Sequence, residues 1–233
     1  MPEVVRTSTS GFSIEVPFKL IETGESAGEK PMILYLHGFN QNIAYFEKKV
    51  EPMLKLDAYH LFIQGPYPIY DTTRKKELSK WGRAWYLYDG GQEQFIHSLE
   101  KASEFIQHIL DEISEEISYS RLCVFGYSMG GYLGGYFALS RPPYVRELIV
   151  AGGRIKTEAF DGKREKATHI NILALHGDQD TSVYPEPQKK CIDLLKTEGY
   201  NATFKLLNAK HKLTKTYLTE GKKWLIEMGY VES

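Results

Sequence analysis

Short apolar runs alternate with helical periodicities along nearly the whole chain, and this alternation limits the architectures open to it. Pro31–His37, His60–Gln64, Arg121–Phe125, Glu147–Ala151 and Asn171–His176 are almost continuously apolar, as strands covered on both faces must be. Thr203–Leu207 is a weaker run of the same kind. Phe12–Leu20 alternates apolar and polar residues, and Pro17, which has no N–H to give a ladder, places it at a sheet edge.

Helical patterns fill the intervals at Ile43–Leu56, Glu93–Ile117, Met129–Ser140, Glu186–Glu198 and Lys215–Met228. Pro52 disturbs the first. In the second, Ile96, Leu99, Ala102, Ile106, Leu110, Ile113 and Ile117 recur every three or four residues and form one apolar stripe. Asp89 followed by Gln92 resembles a capping box near its start. Acidic side chains crowd its far end against the dipole, which predicts a frayed or solvated last turn. Strands alternating with helices predict an α/β fold, a mostly parallel central sheet with helices on both faces. A single domain over 1–233 is expected, with no separate cap domain. Gly65–Gly91 lacks periodicity, and a connection of that length is usually functional or mobile.

Charge and composition exclude several functions. Lys plus Arg is 29 against 30 for Asp plus Glu, without the basic excess that a nucleic-acid binder uses to neutralise phosphates. The strictly apolar runs extend no further than Met32–Leu36 and Ala84–Tyr88, far short of the ~18 residues of a transmembrane segment. Met1–Arg6 lacks the layout of a signal peptide. With only Cys123 and Cys191, both read as packing residues, a cytoplasmic location is expected. The near-zero charge and many aromatics allow a homodimer.

Gly-x-Ser-x-Gly occurs twice, around Ser26 and around Ser128. The chemistry associated with it needs a strand, a sharp turn and then a helix, so that the hydroxyl stands above the sheet. Ser26 sits among charged residues and leads into a strand. Ser128 follows the run Arg121–Phe125 and opens the helix Met129–Ser140. Gly130, Gly131, Gly134 and Gly135 each cost that helix about 1 kcal/mol relative to Ala, so close packing on the sheet is expected to compensate. Neither the Lys-Ser/Thr of a phosphate loop nor a dinucleotide glycine spacing is present.

A serine nucleophile needs a base, which is oriented in turn by a carboxylate, and on this sheet type the chain order is Ser, acid, His. His211, just after the last strand, is the best base. His169 falls on the wrong side of the sheet, and His176 precedes the candidate acid. Of Asp178 and Asp180, the latter lies further into the loop, while Asp178 can form the turn by bonding its own backbone. A calcium loop starting at Asp178 fails, because Val183 stands where Gly is required and Lys189 where Glu is. His97 and His108 are about 16 Å apart along their helix, too far to share a metal. No metal or cofactor is expected. The oxyanion donors are expected to be the N–H of Met129 and that of Phe39, in the loop after Pro31–His37; His37 itself reads as a turn residue.

Leu36-His37-Gly38-Phe39, Gly-Tyr-Ser-Met-Gly-Gly at 126–131, His-Gly-Asp-Gln-Asp at 176–180 and the late His211 resemble the α/β-hydrolase superfamily. Within it the chain is similar to the phospholipase/carboxylesterase group, which includes acyl-protein thioesterases. The resemblance implies a triad of Ser128, Asp180 and His211. It departs at Met129, where the family often has Gln, and at Lys212, where a small residue often follows the His. Gly82–Tyr86 looks like the family's aromatic stretch beside the acyl pocket.

The expected reaction is hydrolysis of carboxylic esters, thioesters or lysophospholipids with short to medium acyl groups, through an acyl-enzyme. Trp81, Trp85, Tyr86 and Tyr88 are expected either to wall an acyl pocket or to cover the core. Arg83 is expected to anchor the loop to an acidic side chain rather than to meet a substrate carboxylate. The alternatives are a serine peptidase on the same framework and a non-catalytic binding protein that kept the fold.

Overall fold

The computed structural model describes residues 8, 10, 13–25 and 28–232. Ser26, Phe12 and the Met1–Arg6 segment lie outside the described residues. The strands are β1 (Phe18–Glu22), β2 (Met32–Leu36), β3 (Tyr59–Ile63), β4 (Tyr67–Pro68), β5 (Arg83–Ala84), β6 (Leu122–Tyr127), β7 (Glu147–Ala151), β8 (Asn171–Gly177) and β9 (Ala202–Leu207). The helices are α1 (Ile43–Val50), α2 (Gln92–Glu116), α3 (Met129–Ser140), α4 (Pro185–Thr197) and α5 (Lys215–Glu227). Seven strands form one sheet in the order β1-β3-β2-β6-β7-β8-β9. All neighbours are parallel except β1, which runs antiparallel to β3. The remaining pair, β4 and β5, makes a two-residue antiparallel ladder inside the long connection.

Strand periodicity sorts the core into two layers. Leu34, Val124, Leu148 and Ile172 face α2, α3 and α4, against Leu99, Ile106, Phe137 and Ile192. Ile33, Phe125, Ile149 and Leu173 face α1 and α5, against Phe46, Tyr217 and Trp224. Each fully buried side chain of this size contributes about 1.5–3 kcal/mol relative to exposure. Cys123 and Cys191 are both free thiols and buried. Among the described residues no helix is long and apolar enough to cross a membrane.

Local chemistry accounts for the shifted boundaries. The edge strand begins only at Phe18, one residue past Pro17. Pro52 cannot donate to the carbonyl one turn back, so α1 gives way to a 3-10 segment at Glu51–Lys55. The α2 stripe is buried as expected through Leu99, Ala102, Ile106, Leu110 and Ile113, joined by Phe95 and Ile109. The capping box does not form. Gly91 occupies the N-cap position without a side-chain cap, and the Asp89 carboxylate accepts the Gly91 N–H instead. Gln94 rather than Gln92 reaches back to the Asp89 N–H, and Gln92 accepts from Lys156.

β2 is followed on one side by β3 and paired on the other with β6, so the chain reverses direction across the sheet there. The crevice at the carboxyl ends of such strands is where ligands bind in open α/β sheets.

Candidate active site

Ser128 occupies the turn between β6 and α3, with φ 52° and ψ −116°. Its N–H donates to the Ala151 carbonyl at 2.8 Å, and its own carbonyl accepts from Gly131 and Tyr132. The surrounding glycines are there because backbone fills the space a side chain would need. A Cβ on Gly130 would fall on the Leu36 carbonyl, and one on Gly126 would fall on the Gly130 carbonyl. Gly134 and Gly135 bring α3 to van der Waals contact with Val124 and Ile155. That close packing is the expected compensation for four helix-weakening residues.

Ser128 Oγ lies 2.8 Å from His211 Nε2, and His211 Nδ1 lies 2.7 Å from Asp180 Oδ2. A carboxylate only accepts, so Nδ1 carries the proton and Nε2 is left to accept the serine hydroxyl. His211 comes from the turn between β9 and α5, and its ring stacks on Tyr127 at 5.7 Å. The Tyr127 hydroxyl donates to the His211 carbonyl.

Asp180, 3% exposed, follows β8. Its Oδ1 accepts the N–H groups of Ser182 and Val183, both at 2.9 Å, which leaves Oδ2 aimed at the imidazole. Behind it His176 is fully buried, donates from Nε2 to the Val183 carbonyl at 2.8 Å, and stands 3.5 Å from Asp180 Oδ2. Burial lowers the His176 pKa, so the ring is held neutral against the acid loop. Asp178 does not bond its own backbone as expected. It is exposed, and its carboxylate accepts the Ala209 N–H, tying the acid loop to the loop that carries His211. The turn-forming role belongs to Asp180 itself.

Phe39 and Asn40 form a tight turn in the loop after β2, with Asn40 at φ 59°. Gln41 donates to the Gly38 carbonyl, and its side chain accepts the Gly38 N–H. Neither the Phe39 N–H nor the Met129 N–H has a hydrogen-bond partner among the described residues. Met129 opens α3, so its N–H also carries the positive end of the helix dipole. Phe39 and Met129 line one cavity of about 440 Å³ together with Tyr67, Ile69, Tyr86, Leu87 and Tyr88.

His37 sits below this loop as a structural residue. It is 1% exposed, donates from Nδ1 to the Gly38 carbonyl and accepts the Gly65 N–H on Nε2. Burial, aided by the Arg83 charge, lowers its pKa to about 4.

The aromatic segment divides between the two roles expected of it. Tyr86 and Tyr88 line the cavity. Trp85 covers the core: it is fully buried, packs on His37 at 4.8 Å, and donates from Nε1 to the His37 carbonyl. Trp81 is also off the cavity, edge-on to Tyr70 with its Nε1 on the Lys76 carbonyl. Both are corrections to the expected pocket. Arg83 anchors the loop through its backbone, exchanging hydrogen bonds with Asn40 and Gln41, and its guanidinium meets no carboxylate among the described residues. Tyr67, Pro68, Ile69 and Leu87 were not anticipated as lining residues; no periodicity marks them, and only the β4–β5 ladder carries them to the site. His97, His108 and His169 are exposed and take no part. Among the described residues no three His, Cys, Asp or Glu side chains converge to hold a metal ion.

The family model described as Phospholipase/Carboxylesterase matches residues 19–227. Lysophospholipase-like protein 1 of Mus musculus is 26% identical over 138 residues, which cover 57% of this chain and 58% of that protein. The match therefore spans less than two thirds of the mouse protein. Among solved structures, esterase PE8 superposes with a TM-score of 0.74 at 16% identity, over 92% of this chain and 99% of its own. Acyl-protein thioesterase 2 of Zea mays gives 0.70 at 20% identity, over 91% and 98%. At these identities the structural matches speak for the fold.

Proposed function

Because the chain belongs to the phospholipase/carboxylesterase family of α/β-hydrolases, we propose that it is a serine hydrolase of carboxylic esters, with Ser128, His211 and Asp180 as its triad. The continuous hydrogen-bonded relay from Ser128 Oγ through His211 to Asp180, at 2.8 and 2.7 Å, is the observation that carries this reading.

His211 Nε2 takes the Ser128 proton as Oγ attacks the ester carbonyl. The Met129 and Phe39 N–H groups receive the negative charge that develops on the carbonyl oxygen. His211 then gives its proton to the leaving oxygen, and an acyl-serine remains. Water, deprotonated by the same Nε2, releases the acid and restores the serine. Asp180 holds the imidazole in its productive tautomer and stabilises its charged form; it does not take the proton itself.

The cavity lined by Phe39 and Met129 suits a short to medium acyl chain. A two-residue ladder and one 3-10 turn lie in the connection beside it, which favours an open site. Thioesters and lysophospholipids present the same reacting carbonyl, and the similarity to a maize acyl-protein thioesterase and a mouse lysophospholipase-like protein makes both worth assaying.

The test is hydrolysis of chromogenic acyl esters by the wild type and by Ser128→Ala. The variant is expected to lose about 10⁴-fold or more in kcat, since removing a nucleophile leaves only oxyanion and binding contributions. Turnover equal to the wild type would overturn the triad.

A further inference from the structure

Several buried tyrosine hydroxyls among the described residues are paired within the protein. Tyr35 meets His60, Tyr136 donates to Glu100, Tyr200 to the Arg164 carbonyl, and Tyr230 to Glu147. Tyr86 is different. It is 7% exposed and lines the cavity beside Met129, yet its hydroxyl has no hydrogen-bond partner among the described residues. Its ring is fixed by Phe95, 5.0 Å away, which leaves the side chain little room to seek a partner elsewhere.

The neighbouring lining is largely apolar, through Pro68, Ile69, Ala84, Leu87 and Met129. Tyr67 and Tyr88 also line the cavity but are exposed, so Tyr86 supplies the buried hydroxyl of this wall, and leaving it unpaired when a ligand displaces water is unfavourable. Burial and the nearby phenol of Tyr132 push its ionisation well above the ordinary tyrosine range, so it stays a neutral O–H that can donate. Tyr132, half-buried one helical turn beyond Ser128, stands outside the residues that line this cavity. A plain alkyl chain in the cavity would cover the Tyr86 hydroxyl without satisfying it. An acyl chain carrying an oxygen would satisfy it.

We propose that the acyl pocket selects acyl groups bearing a hydroxyl, ether or keto oxygen, which accepts a hydrogen bond from Tyr86. This rests on the ester-hydrolase reading and names its substrate class. Pockets built to hydrogen-bond a substrate oxygen discriminate strongly against analogues that lack it, because their own polar group is then stranded.

The test compares p-nitrophenyl alkanoates with esters of equal chain length in which one methylene is replaced by oxygen at successive positions. Each kcat/KM is divided by the ester's alkaline hydrolysis rate, which removes the inductive effect of the oxygen. The wild type is expected to favour one position over the plain ester by about tenfold, the effect of one hydrogen bond at its upper range. Tyr86→Phe should bring that ratio towards one, whatever happens to the absolute rate. A wild type without preference for any position overturns the proposal, and so does a ratio that Tyr86→Phe leaves intact or that only Tyr132→Phe removes. Failure of the underlying reading looks different: Ser128→Ala would then hydrolyse both ester series as the wild type does.

Discussion

Ser128 holds a backbone conformation, φ 52° with ψ −116°, that side-chain-bearing residues rarely adopt. Such strain costs about 1–3 kcal/mol and persists only where the surroundings over-determine it. Here they do, through the N–H bond to Ala151, the carbonyl bonds to Gly131 and Tyr132, and backbone packed against Gly126 and Gly130. The conformation lifts Oγ to His211 and leaves the Met129 N–H unpaired. Ser128→Ala and Ser128→Gly both delete the hydroxyl, but only the second deletes the Cβ. The Gly variant should therefore be more stable than the Ala variant by about 1 kcal/mol, after the extra freedom of an unfolded glycine has offset part of the relief. Urea midpoints of the two variants decide it. A Gly variant less stable than the Ala variant would show that the turn is not strained.

At the level of elements, α3 and the strands it crosses form the platform for the site, and glycine sets their spacing. Gly130→Ala would drive a Cβ into the Leu36 carbonyl at the end of β2, where no side chain can swing aside. It should destabilise by about 3 kcal/mol or more. Gly28→Ala, with nothing within 4 Å among the described residues, should change stability by no more than about 0.5 kcal/mol. Urea unfolding measures both, and equal values would remove the close-approach account. These elements were legible in the sequence because burial imposes periods. The stripe from Leu99 to Ile113 and the two-faced strands β2, β6, β7 and β8 could hardly be read otherwise. The convergence of Ser128, His211 and Asp180 was legible too, since each follows a readable strand end. The connection from Gly65 to Gly91 was not. Trp85 and Tyr86 are neighbours in sequence, yet one fills the core and the other lines the cavity. That difference is set by a two-residue ladder, Tyr67 opposite Ala84, too short to leave a pattern. The absent capping box has a similar cause: Gly91 takes the cap position, and Asp89 closes a local turn instead.

Across the whole molecule, neutral histidines are built into the hydrogen-bond framework at separated points of the sheet. His60, on β3, accepts the Tyr35 hydroxyl on Nδ1 and faces the Leu56 carbonyl with Nε2. His37 bridges the loop after β2 to Gly65, and His176 holds the acid loop after β8. Burial lowers all three pKa values, to about 4 for His37 and His60. A proton on His37 would displace the Gly65 donor, and one on His60 would displace Tyr35. The unfolded chain binds protons at an ordinary histidine pKa, near 6.5, whereas the folded chain resists them until about pH 4. Between those limits the unfolded state holds more protons, so stability is fully present above about pH 6.5 and is lost as the pH falls towards 4. Each of the two histidines can contribute up to about 3 kcal/mol to that slope, from the gap between an ordinary histidine pKa and one of about 4. Urea midpoints should fall steadily across this window, before carboxylate protonation dominates. His60→Gln removes one titrating ring while keeping a neutral polar side chain, so its midpoint should vary less with pH than that of the wild type. Because His60 lies on β3 and outside the proposed triad, the flattening should be seen in stability without a matching change in ester hydrolysis at neutral pH. A wild-type midpoint that is level from pH 6.5 to 4, or a His60→Gln slope as steep as the wild type's, would refute the linkage.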